Sequence, residues 1–329
     1  MLAMTAGFQS FDSFDMYSYF YDLVRQIPQG MVTAYGDLAR ALGDVAAARA
    51  CGHMLSINPD PVGTPCYRVV HSSGEVGKYT HPLGQNEKAR KLENDGIEIE
   101  NGLVKDFTRL RFNSFKTDYP LNKMRGEQLH MASQVMLEDD FDASLIGAVD
   151  VSYDDFYGYG AFVYYEDGDL HVKSAVMPVN FPYIPGYLAY REFRFIKSLC
   201  GSFEGTLLLD GNGYLHPRRI GMASYSGVRL DIPTIGVAKS LLMGNVENGF
   251  ITADGEKVGY MLNRHTIVSP GHRISLDSAI AVVKSLDGGK YPGILKAAHN
   301  ETVRLRTIKR NAERPELHNL KSLTPSSYT

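Results

Sequence analysis

Three carboxylates occupy positions from which they could bind a divalent cation. Asp150 and Asp210 each close a short apolar run, and Glu192 follows a segment rich in Tyr and Pro. A buried carboxylate costs free energy unless a cation or a hydrogen-bond donor accompanies it. One such aspartate is most simply a strand-end turn or a helix cap. Three together favour a hard cation such as Mg²⁺, which would activate water and neutralise phosphoryl charge.

A different reactive group lies in the first third of the chain. Cys66 follows Pro65 and precedes Tyr67. A thiol becomes a good nucleophile as the thiolate, and a neighbouring imidazole usually takes its proton. Tyr67, with a reference pKa of about 10, is a poor base at neutral pH. Cys66 is therefore either a nucleophile activated in another way or a small buried thiol. Cys51 and Cys200 lie in apolar segments and are expected to be inert core thiols.

The elements around Cys66 are predicted to be helices. Apolar residues at helical spacing predict a helix over 14–27, which Pro28 to Gly30 ends. Two shorter helices are expected over 33–42 and 45–57, joined at Gly43-Asp44. Two short helices with a Gly-containing turn are typical of a helix-turn-helix.

The remainder of the chain alternates helix and strand. Helices are predicted over 128–136 and 275–286, the second with Ser275 as its N-cap. The predicted strands are 145–151, 161–165, 171–178 and 205–210, with Asp167-Gly168 as a hairpin turn. This order implies a mixed sheet covered by helices.

Composition is that of a globular protein with two cores. The 329 residues are 44% hydrophobic and 22% charged, with a formal net charge of −3. That charge argues against an unspecific polycation, although a basic groove can still bind nucleic acid. Three cysteines are too few for a disulfide framework, and the start lacks a secretory pattern. No apolar run is long enough to span a bilayer, so we expect a cytoplasmic protein.

Six blocks in order along the chain resemble the signature segments of endonuclease V. They are GAVDVSY (147–153), FPYIPGYLAYRE (181–192), LLLDGNGYLHPRR (207–219), DIPTIGVAKS (231–240), VSPGHRISL (268–276) and AAHNETVRLR (297–306). The resemblance implies an α/β ribonuclease-H-like fold with a mixed sheet. It also implies cleavage of a DNA strand 3′ to a deaminated base, chiefly hypoxanthine, at the second phosphodiester.

The same resemblance implies roles for individual residues. Asp150, Glu192 and Asp210 would form the metal site for Mg²⁺, with Mn²⁺ as a substitute. His299 would position water or metal, Lys239 would approach the phosphate, and His216 would lie near the nucleotide. Simpler alternatives stay open: His216 before Pro217 could brace a loop, Lys239 could be a surface lysine, and His299 an exposed helix residue.

Residues that handle the damaged base are also implied by this resemblance. Pro182, Tyr183, Ile184 and Pro185 would fill the space that the flipped nucleotide leaves, since unstacking a base costs a few kcal/mol. Gly186 and Gly211 would allow the backbone to approach the base closely.

The first third resembles the C-terminal, DNA-binding half of O6-alkylguanine-DNA alkyltransferases. The match rests on Asn58-Pro59, on TPCYRVV (64–70) and on the helix-turn-helix before them. The resemblance implies that Cys66 accepts the alkyl group and Asn58 braces its loop. It also implies that Tyr35 rotates the nucleotide out and Arg49 fills the stack.

This segment departs from the family pattern Pro-Cys-His-Arg-Val because Tyr67 replaces the histidine. The acidic partner of that histidine also looks changed, to Asp95. A module that binds lesions without turnover is therefore an alternative. Retention of Cys66 favours the acceptor, because alkyltransferase-like binding proteins replace that cysteine.

Together these features predict a DNA-repair protein with two domains. A mainly α, winged or helix-turn-helix-like alkyltransferase domain is expected over 1–107 and a linker over 108–123. The endonuclease V-like domain would follow over 124–306, and a polar tail over 307–329. The expected partner is damaged DNA, with no membrane and no small-molecule cofactor besides metal. Alternatives are an inosine-specific ribonuclease with a non-catalytic N-terminal module, and a non-catalytic DNA-binding adaptor.

Overall fold

The chain forms two compact units. The structure, a computed structural model, describes residues 11–80, 83–286 and 289–320. One unit comprises Met1–His130 together with Asn180–Arg191, and the other comprises Met131–Val179 together with Glu192–Thr329. Residues 108–123, expected to be a linker, thus belong to the first unit.

Short helices and two small strand pairs build the first unit. Its helices are α1 (Met16–Arg25), α2 (Tyr35–Leu42), α3 (Ala48–Ser56), α4 (Gly84–Asn94), α5 (Phe107–Leu110) and α6 (Pro120–Ala132). Strands β1 (Thr33–Ala34) and β2 (Val69–Val70) pair in parallel, and β3 (Ile99–Glu100) and β4 (Leu103–Val104) pair antiparallel. The prediction of a mainly α domain is confirmed.

The helix-turn-helix is formed by α2 and α3. Gly43 ends α2 with φ 103°, a left-handed conformation that glycine adopts at little cost. Asp44 then accepts a hydrogen bond from the Ala46 N–H, at 3.0 Å, and caps a 3₁₀ turn over Val45–Ala47. The helix predicted from residue 33 begins at Tyr35 because Thr33 and Ala34 pair with β2.

Residues after α5 pack on this unit through polar contacts. The Arg111 guanidinium donates to both carboxylate oxygens of Asp37, at 2.7 and 2.8 Å. The Thr117 hydroxyl donates to the Ala41 carbonyl oxygen at 2.6 Å. These contacts explain why 108–123 does not run as a separate linker. Helix α6 also ends at Ala132, four residues before the end of the predicted helix at 136.

One mixed sheet dominates the described part of the second unit. Its strands are β5 (Ile146–Tyr153), β6 (Tyr157–Glu166), β7 (Asp169–Pro178), β8 (Thr206–Asp210), β9 (Thr234–Ala238), β10 (Asn245–Glu247), β11 (Phe250–Ala253), β12 (Glu256–Asn263) and β13 (Thr266–His272). Their order is β10-β11-β12-β13-β9-β8-β5-β6-β7. The central strands β5, β8 and β9 are parallel, and their neighbours are antiparallel. The predicted mixed sheet is confirmed.

Local signals for several of these elements were reliable. Asp167 and Gly168 have φ values of 53° and 88°, as a two-residue hairpin turn between β6 and β7 requires. Four further helices are α7 (Leu188–Cys200), α8 (Met222–Leu230), α9 (Leu276–Ser285) and α10 (Gly293–Leu320). Ser275 caps α9 by accepting from the Ser278 N–H at 3.2 Å.

Residues 307–320, expected to be part of a polar tail, belong to helix α10. This helix continues to Leu320, because residues 301–314 are rich in helix-forming Arg, Lys, Glu and Leu. Residues 321–329 of the expected tail lie outside the described residues.

The core of the second unit lies against the central strands. It includes Ala148 of β5, Leu208 of β8 and Val237 of β9, together with residues of α9 and α10. Within the described residues, no helix combines the length and the apolar composition needed to cross a membrane.

Candidate active sites

Asp150 and Asp210 lie at the same level on neighbouring parallel strands. The pairing of β5 with β8 ends at Val149 and Leu209, one residue before each aspartate. Asp210 is the last residue of β8, as expected. Asp150 is not at a strand exit, because β5 continues to Tyr153 and Asp150 pairs with Ala161 of β6. In-register parallel neighbours point to the same side of a sheet, which brings the two carboxylates together.

The electrostatics of Asp150 are those of a carboxylate that needs a cation. Asp150 is 8% exposed. Burial and the charge of Asp210 raise the pKa of Asp150, whereas His299 and Lys239 act in the opposite direction. The Nδ1 atom of His299, on α10, lies 2.9 Å from a carboxylate oxygen of Asp150. The site therefore combines two carboxylates with two side chains that can carry positive charge.

Lys239 follows β9 directly and makes an ion pair with Asp210. Its ammonium also lies 5.0 Å from the ring centroid of Tyr291. The Tyr291 hydroxyl donates to the Val237 carbonyl oxygen at 3.1 Å, and burial and the charge of Asp210 raise its pKa. Sequence reasoning missed Tyr291, since its ring reaches the site only through the packing of the loop before α10.

Glu192, the third expected metal ligand, is buried in the second turn of α7. In the described part of the chain, no group of three or more His, Cys, Asp or Glu residues is placed so that it could hold a metal ion. The structure thus brings Asp150, Asp210, His299 and Lys239 together, and it places Glu192 on α7.

His216 is buried in the loop that follows β8. Its Nδ1 accepts a hydrogen bond from the Arg218 backbone N–H at 3.2 Å. This bond braces the loop, as the simpler alternative proposed, and assigns the proton of the neutral ring to Nε2. The two roles are compatible, because the nitrogen that braces the loop is not the one that would donate to a nucleotide.

The glycines after Asp210 pack against β9. A Cβ on Gly236 would lie 2.4 Å from the Gly213 nitrogen and 2.6 Å from the Gly211 oxygen. The Gly211 N–H donates to the Val237 carbonyl oxygen at 3.1 Å. The backbone of this loop thus lies close to that of β9, so the fold itself requires glycine here, independently of any contact with a base.

The expected lesion-contacting segment divides into exposed and buried residues. Tyr183 is 62% exposed and Pro185 is also exposed. Ile184 is 1% exposed and Pro182 is buried. Gly186 has φ 81°, which favours glycine. Tyr183 and Pro185 are therefore the exposed members of this segment, whereas Pro182 and Ile184 are buried.

Cys66 begins a 3₁₀ turn in the first unit and is 7% exposed. Its N–H donates to the Thr64 carbonyl oxygen at 2.7 Å. The Asn58 side-chain amide donates to the same carbonyl at 3.2 Å, and its oxygen accepts from the Asp60 N–H at 3.0 Å. Asn58 thereby spans the loop that leads to Cys66.

Tyr67 and Asp95 form a polar cluster with Arg68. The Tyr67 hydroxyl donates to Asp95 at 3.4 Å, and Arg68 Nε donates to the other carboxylate oxygen at 2.6 Å. Burial raises the pKa of Tyr67 further above its ordinary value. Tyr67 is therefore a donor to Asp95, and it cannot take the place of the family histidine as a base.

Two residues near the thiol escaped sequence reasoning. The Tyr79 hydroxyl hydrogen-bonds Cys66, and it accepts from the Lys91 ammonium at 3.4 Å. Lys88 is 1% exposed, and burial lowers its pKa to about 8 while the charge of Cys66 acts in the opposite direction. A lysine at helical spacing from the buried Leu92 was the one available signal.

The remaining residues expected to contact DNA differ in exposure. Tyr35 is half-buried, its ring centroid lies 5.6 Å from that of His71, and burial raises its pKa. Arg49 is exposed on the first turn of α3. This placement is compatible with insertion of Arg49 into a base stack.

Two family models match the chain, one in each sequence region described above. The model of Endonuclease V matches residues 129–300. The model of the DNA-binding domain of 6-O-methylguanine DNA methyltransferase matches residues 15–97. The fold and the order of the two activities along the chain agree with both matches.

Solved structures agree with the fold of the nuclease region. Endonuclease V from Bacillus subtilis is 26% identical, with a TM-score of 0.52 over 58% of this chain and 94% of that chain. Endonuclease V from Ciona intestinalis, in complex with a 24mer DNA containing an inosine followed by a ribo-adenosine, is 26% identical. Its TM-score is 0.51 over 58% of this chain and 100% of that chain.

Full-length relatives share both regions. A bifunctional methyltransferase/endonuclease of Picrophilus torridus is 53% identical over 89% of this chain and 98% of its own length. One of Thermoplasma volcanium is 47% identical over 89% of this chain and 91% of its own length. By this identity and coverage, the chain belongs to the family of bifunctional methyltransferase/endonucleases, DNA-repair enzymes that join an alkyltransferase domain to an endonuclease V domain.

Proposed function

We propose that the nuclease region nicks DNA on the 3′ side of a deaminated base, chiefly hypoxanthine, at the second phosphodiester. The observation that carries this proposal is the pair of carboxylates Asp150 and Asp210 with His299 and Lys239 beside them. The Ciona relative binds DNA that contains inosine, the nucleoside of hypoxanthine, which supports the choice of lesion.

We propose that the two carboxylates Asp150 and Asp210 bind a divalent cation. Asp150 is buried next to a second carboxylate, so a cation between them would relieve both the burial and the repulsion. Asp150 and Asp210 would hold Mg²⁺, with Glu192 as a third ligand and Mn²⁺ as a substitute. The ion would supply a water of lowered pKa and would neutralise phosphoryl charge.

The other residues act on the substrate. With a cation held by the carboxylates, Lys239 would exchange its ion pair with Asp210 for one with the phosphate. His299 is oriented by Asp150 through Nδ1, and its Nε2 takes a proton from the attacking water. His216 donates from Nε2 to the backbone of the flipped nucleotide. Tyr183 and Pro185 fill the stack that a flipped nucleotide leaves. Gly186 in the first unit and Gly211 in the second unit each allow close approach of the backbone to a base.

Cleavage of matched DNA oligomers tests this proposal. Duplexes with one inosine are expected to be nicked with Mg²⁺ and left intact with chelator. Asp150→Ala should abolish nicking while leaving lesion binding largely intact. Asp169→Ala, which removes an exposed aspartate at the start of β7, is the matched control and should cut normally. Cleavage by Asp150→Ala at the wild-type rate would exclude the assignment.

A second candidate function is cleavage of RNA at inosine. The observation that favours it is the ribo-adenosine that follows inosine in the nucleic acid bound by the Ciona relative. A 2′-hydroxyl can be contacted by backbone groups, which leave no mark in the sequence. Paired DNA and RNA oligomers of one sequence, each with a single inosine, distinguish the two substrates.

We further propose that Cys66 is the alkyl acceptor of the alkyltransferase domain. The thiolate sulfur attacks the alkyl carbon on O6 of guanine. The S–C bond forms as the C–O6 bond breaks, and the electron pair passes to O6. The guanine stays in the DNA strand and takes up one proton from water. Tyr35 turns the nucleotide out of the stack, Arg49 fills the space, and Asn58 holds the loop of Cys66.

Activation of the thiol relies on residues other than Tyr67. The Tyr79 hydroxyl hydrogen-bonds Cys66 and accepts from the Lys91 ammonium at 3.4 Å, so both groups lie close to the sulfur. Lys88, whose pKa burial lowers to about 8, is proposed as the general base of this domain. Two lysines and a tyrosine thus replace the family's imidazole.

Methyl-labelled O6-methylguanine DNA tests the acceptor. Label is expected on the wild-type protein in one-to-one amount and is expected to be absent from Cys66→Ala. Cys51→Ala, which removes a buried thiol of α3, is the control and should accept label as wild type does. Binding without label on the wild type would leave only the role of a lesion sensor.

A further inference from the structure

A hydrogen bond joins the two family regions within the first unit. The hydroxyl of Tyr187 donates to an oxygen of the Asp44 carboxylate at 2.6 Å. Asp44 lies in the region matched to the alkyltransferase DNA-binding domain, and Tyr187 lies in the region matched to endonuclease V. Tyr187 is fully buried. A bond to a charged acceptor at such a site is among the stronger hydrogen bonds in proteins.

Asp44 uses its two oxygens for different purposes. One oxygen accepts from the Ala46 N–H and caps the turn that leads into α3, the helix of Arg49. The other oxygen accepts from Tyr187. The carboxylate of Asp44 therefore contacts both the turn before α3 and Tyr187 of the endonuclease V region.

Further contacts hold this segment, residues 180–191, to the first unit. The Asn180 carbonyl accepts from the Met16 N–H at 2.8 Å, and the Gln128 side-chain amide donates to the Gly186 carbonyl at 3.0 Å. The Tyr190 hydroxyl makes 2.7 Å contacts to Met124 and Glu127. None of these contacts, however, reaches the helix-turn-helix, so Asp44 has a distinct position.

The position of Tyr187 in the chain explains why its support matters. Tyr187 directly follows Gly186, and the exposed residues Tyr183 and Pro185 lie two to four positions before it. It directly precedes α7, which carries Glu192. A displacement of the Tyr187 ring therefore moves the lesion-contacting residues before it and the start of the helix after it.

We infer that Asp44 is a positioning residue for the nuclease reaction, acting through Tyr187 on residues 183–186. The inference rests on the proposed function, in which Tyr183 and Pro185 fill the stack vacated by the damaged nucleotide. It goes beyond that function because a residue of the alkyltransferase region sets the efficiency of the nuclease. A mixture of the two regions, produced as separate proteins, would not form this bond at low concentration.

The role of Asp44 should depend on the form of the substrate. Filling a vacated stack is needed for a base extruded from a duplex and far less for a base in single-stranded DNA. The bond between Tyr187 and Asp44 joins a hydroxyl to a carboxylate, one of the stronger kinds of hydrogen bond in proteins. Its loss is expected to reduce kcat/KM for duplex inosine DNA by at least about 10-fold.

Two substitutions test the bond without disturbing the cap. Asp44→Ser keeps a good N-cap residue but removes the acceptor for Tyr187. Tyr187→Phe removes the donor and keeps the ring. Kinetics of the full chain are measured with each variant, and with both together, on duplex and on single-stranded inosine DNA. Thermal unfolding and label transfer to Cys66 report whether each variant is folded.

Tyr159→Phe is the matched control. The Tyr159 hydroxyl is bonded to the Asp154 carboxylate at 2.5 Å, and the ring is 1% exposed in the second unit. This substitution removes the same kind of bond from a buried tyrosine elsewhere. It should lower stability to a similar extent and leave the ratio of duplex to single-strand cleavage unchanged.

The expected result is a selective loss on duplex DNA in both single variants, with no further loss in the double variant. Equal loss on both substrates, additive losses, or the same selective loss in Tyr159→Phe would overturn the inference. If the wild type cuts inosine DNA and Asp44→Ser cuts it equally well, the inference is wrong and the proposed function stands. Failure of the wild type to cut either substrate would overturn the proposed function and the inference with it.

Discussion

Asp150, which we propose as a metal ligand, is expected to lower the stability of the folded protein near neutral pH. Burial and the charge of Asp210 raise the pKa of Asp150, so the folded protein disfavours its ionised form. For a carboxylate whose folded pKa lies above the unfolded value, the folded state binds the proton more tightly, and stability falls as pH rises through that window. Near neutral pH the ionised carboxylate is therefore a net cost until a cation binds.

Asp150→Asn is expected to abolish nicking and to raise the melting temperature in chelator. The neutral amide removes the repulsion with Asp210 and keeps nearly the same volume. Added Mg²⁺ should stabilise the wild type more than the variant. Thermal unfolding of both proteins, with chelator and with Mg²⁺, measures this difference. A lower melting temperature of the variant in chelator would contradict the electrostatic account.

Lys88 carries a similar cost with the opposite charge. Burial lowers its pKa from 10.5 to about 8, so the unfolded chain binds the proton more tightly than the folded protein does. Stability attributable to Lys88 therefore rises with pH between about 8 and 10.5. Below that window the wild type bears the full cost of the buried ammonium, about 3 kcal/mol.

Lys88→Met should be more stable than the wild type at pH 7 by up to about 3 kcal/mol. The advantage should shrink to a few tenths of a kcal/mol by about pH 10.5, because the lysine is then neutral in the folded state and half-protonated in the unfolded state. Denaturant unfolding at pH 7 and pH 10.5 measures it, and Lys78→Met, an exposed lysine of the same unit, is the control. A difference between variant and wild type that is independent of pH would argue against a buried charge. Alkyl transfer should be slower in Lys88→Met.

At the scale of elements, the register of three parallel strands assembles the nuclease site. Pairing between β5 and β8 places Asp150 beside Asp210, and pairing between β8 and β9 brings Lys239 to the same end of the sheet. The carboxyl ends of parallel strands are the usual place for ligand sites in such sheets. Gly236 lets the loop after Asp210 lie directly on β9.

Gly236→Ala is expected to destabilise the protein by about 1–3 kcal/mol, because the new methyl group would overlap backbone atoms of Gly211 and Gly213. Nicking should fall as well, since the displaced loop begins at Asp210. Gly126→Ala is the control: no atom lies within 4 Å of the added Cβ in α6, and it should stabilise by about 0.5–1 kcal/mol. Denaturant unfolding and nicking rates measure both variants. Wild-type stability of Gly236→Ala would show that the loop can relax.

For the whole molecule, the two chemistries use different residues of one chain. Alkyl transfer is assigned to Cys66 and its neighbours in the first unit, and nicking is assigned to Asp150 and its neighbours in the second. The unit boundaries do not follow the family boundaries, because Asn180–Arg191 belongs to the first unit. Residues 180–191 lie in the region matched to endonuclease V and nevertheless belong to the unit of the alkyltransferase region.

Cys66→Ala is expected to nick inosine DNA at the wild-type rate, and Asp150→Ala is expected to accept label at the wild-type rate. In this proposal Cys66 takes no part in nicking and Asp150 takes no part in alkyl transfer, so each substitution should abolish only one reaction. Both reactions are measured on the full chain with both variants. Loss of nicking in Cys66→Ala would mean that the thiol supports the fold or the nuclease in a way that its position in the first unit does not indicate.

The sequence alone determined what depends on neighbours along the chain. Helical spacing in α1, the Asp167-Gly168 turn, the cap at Ser275 and the ordered motif blocks are local patterns, and each is legible without a fold. The nucleophile, the carboxylates and the alternating order of strands and helices belong to the same category. They sufficed to predict two domains and two chemistries.

Only the tertiary structure decided which distant residues meet. Tyr79 and Lys88 lie near Cys66, Tyr291 packs under Lys239, and Asp44 accepts from Tyr187, 143 positions away in the chain. The sequence likewise did not predict that Tyr183 is exposed while its neighbour Ile184 is buried. Such contacts arise from the packing of whole elements, whose burial and charge no local pattern encodes. Asp150 and Asp210 were recognised from the sequence, but the burial of Asp150 and the positions of His299 and Lys239 became apparent only in the folded chain.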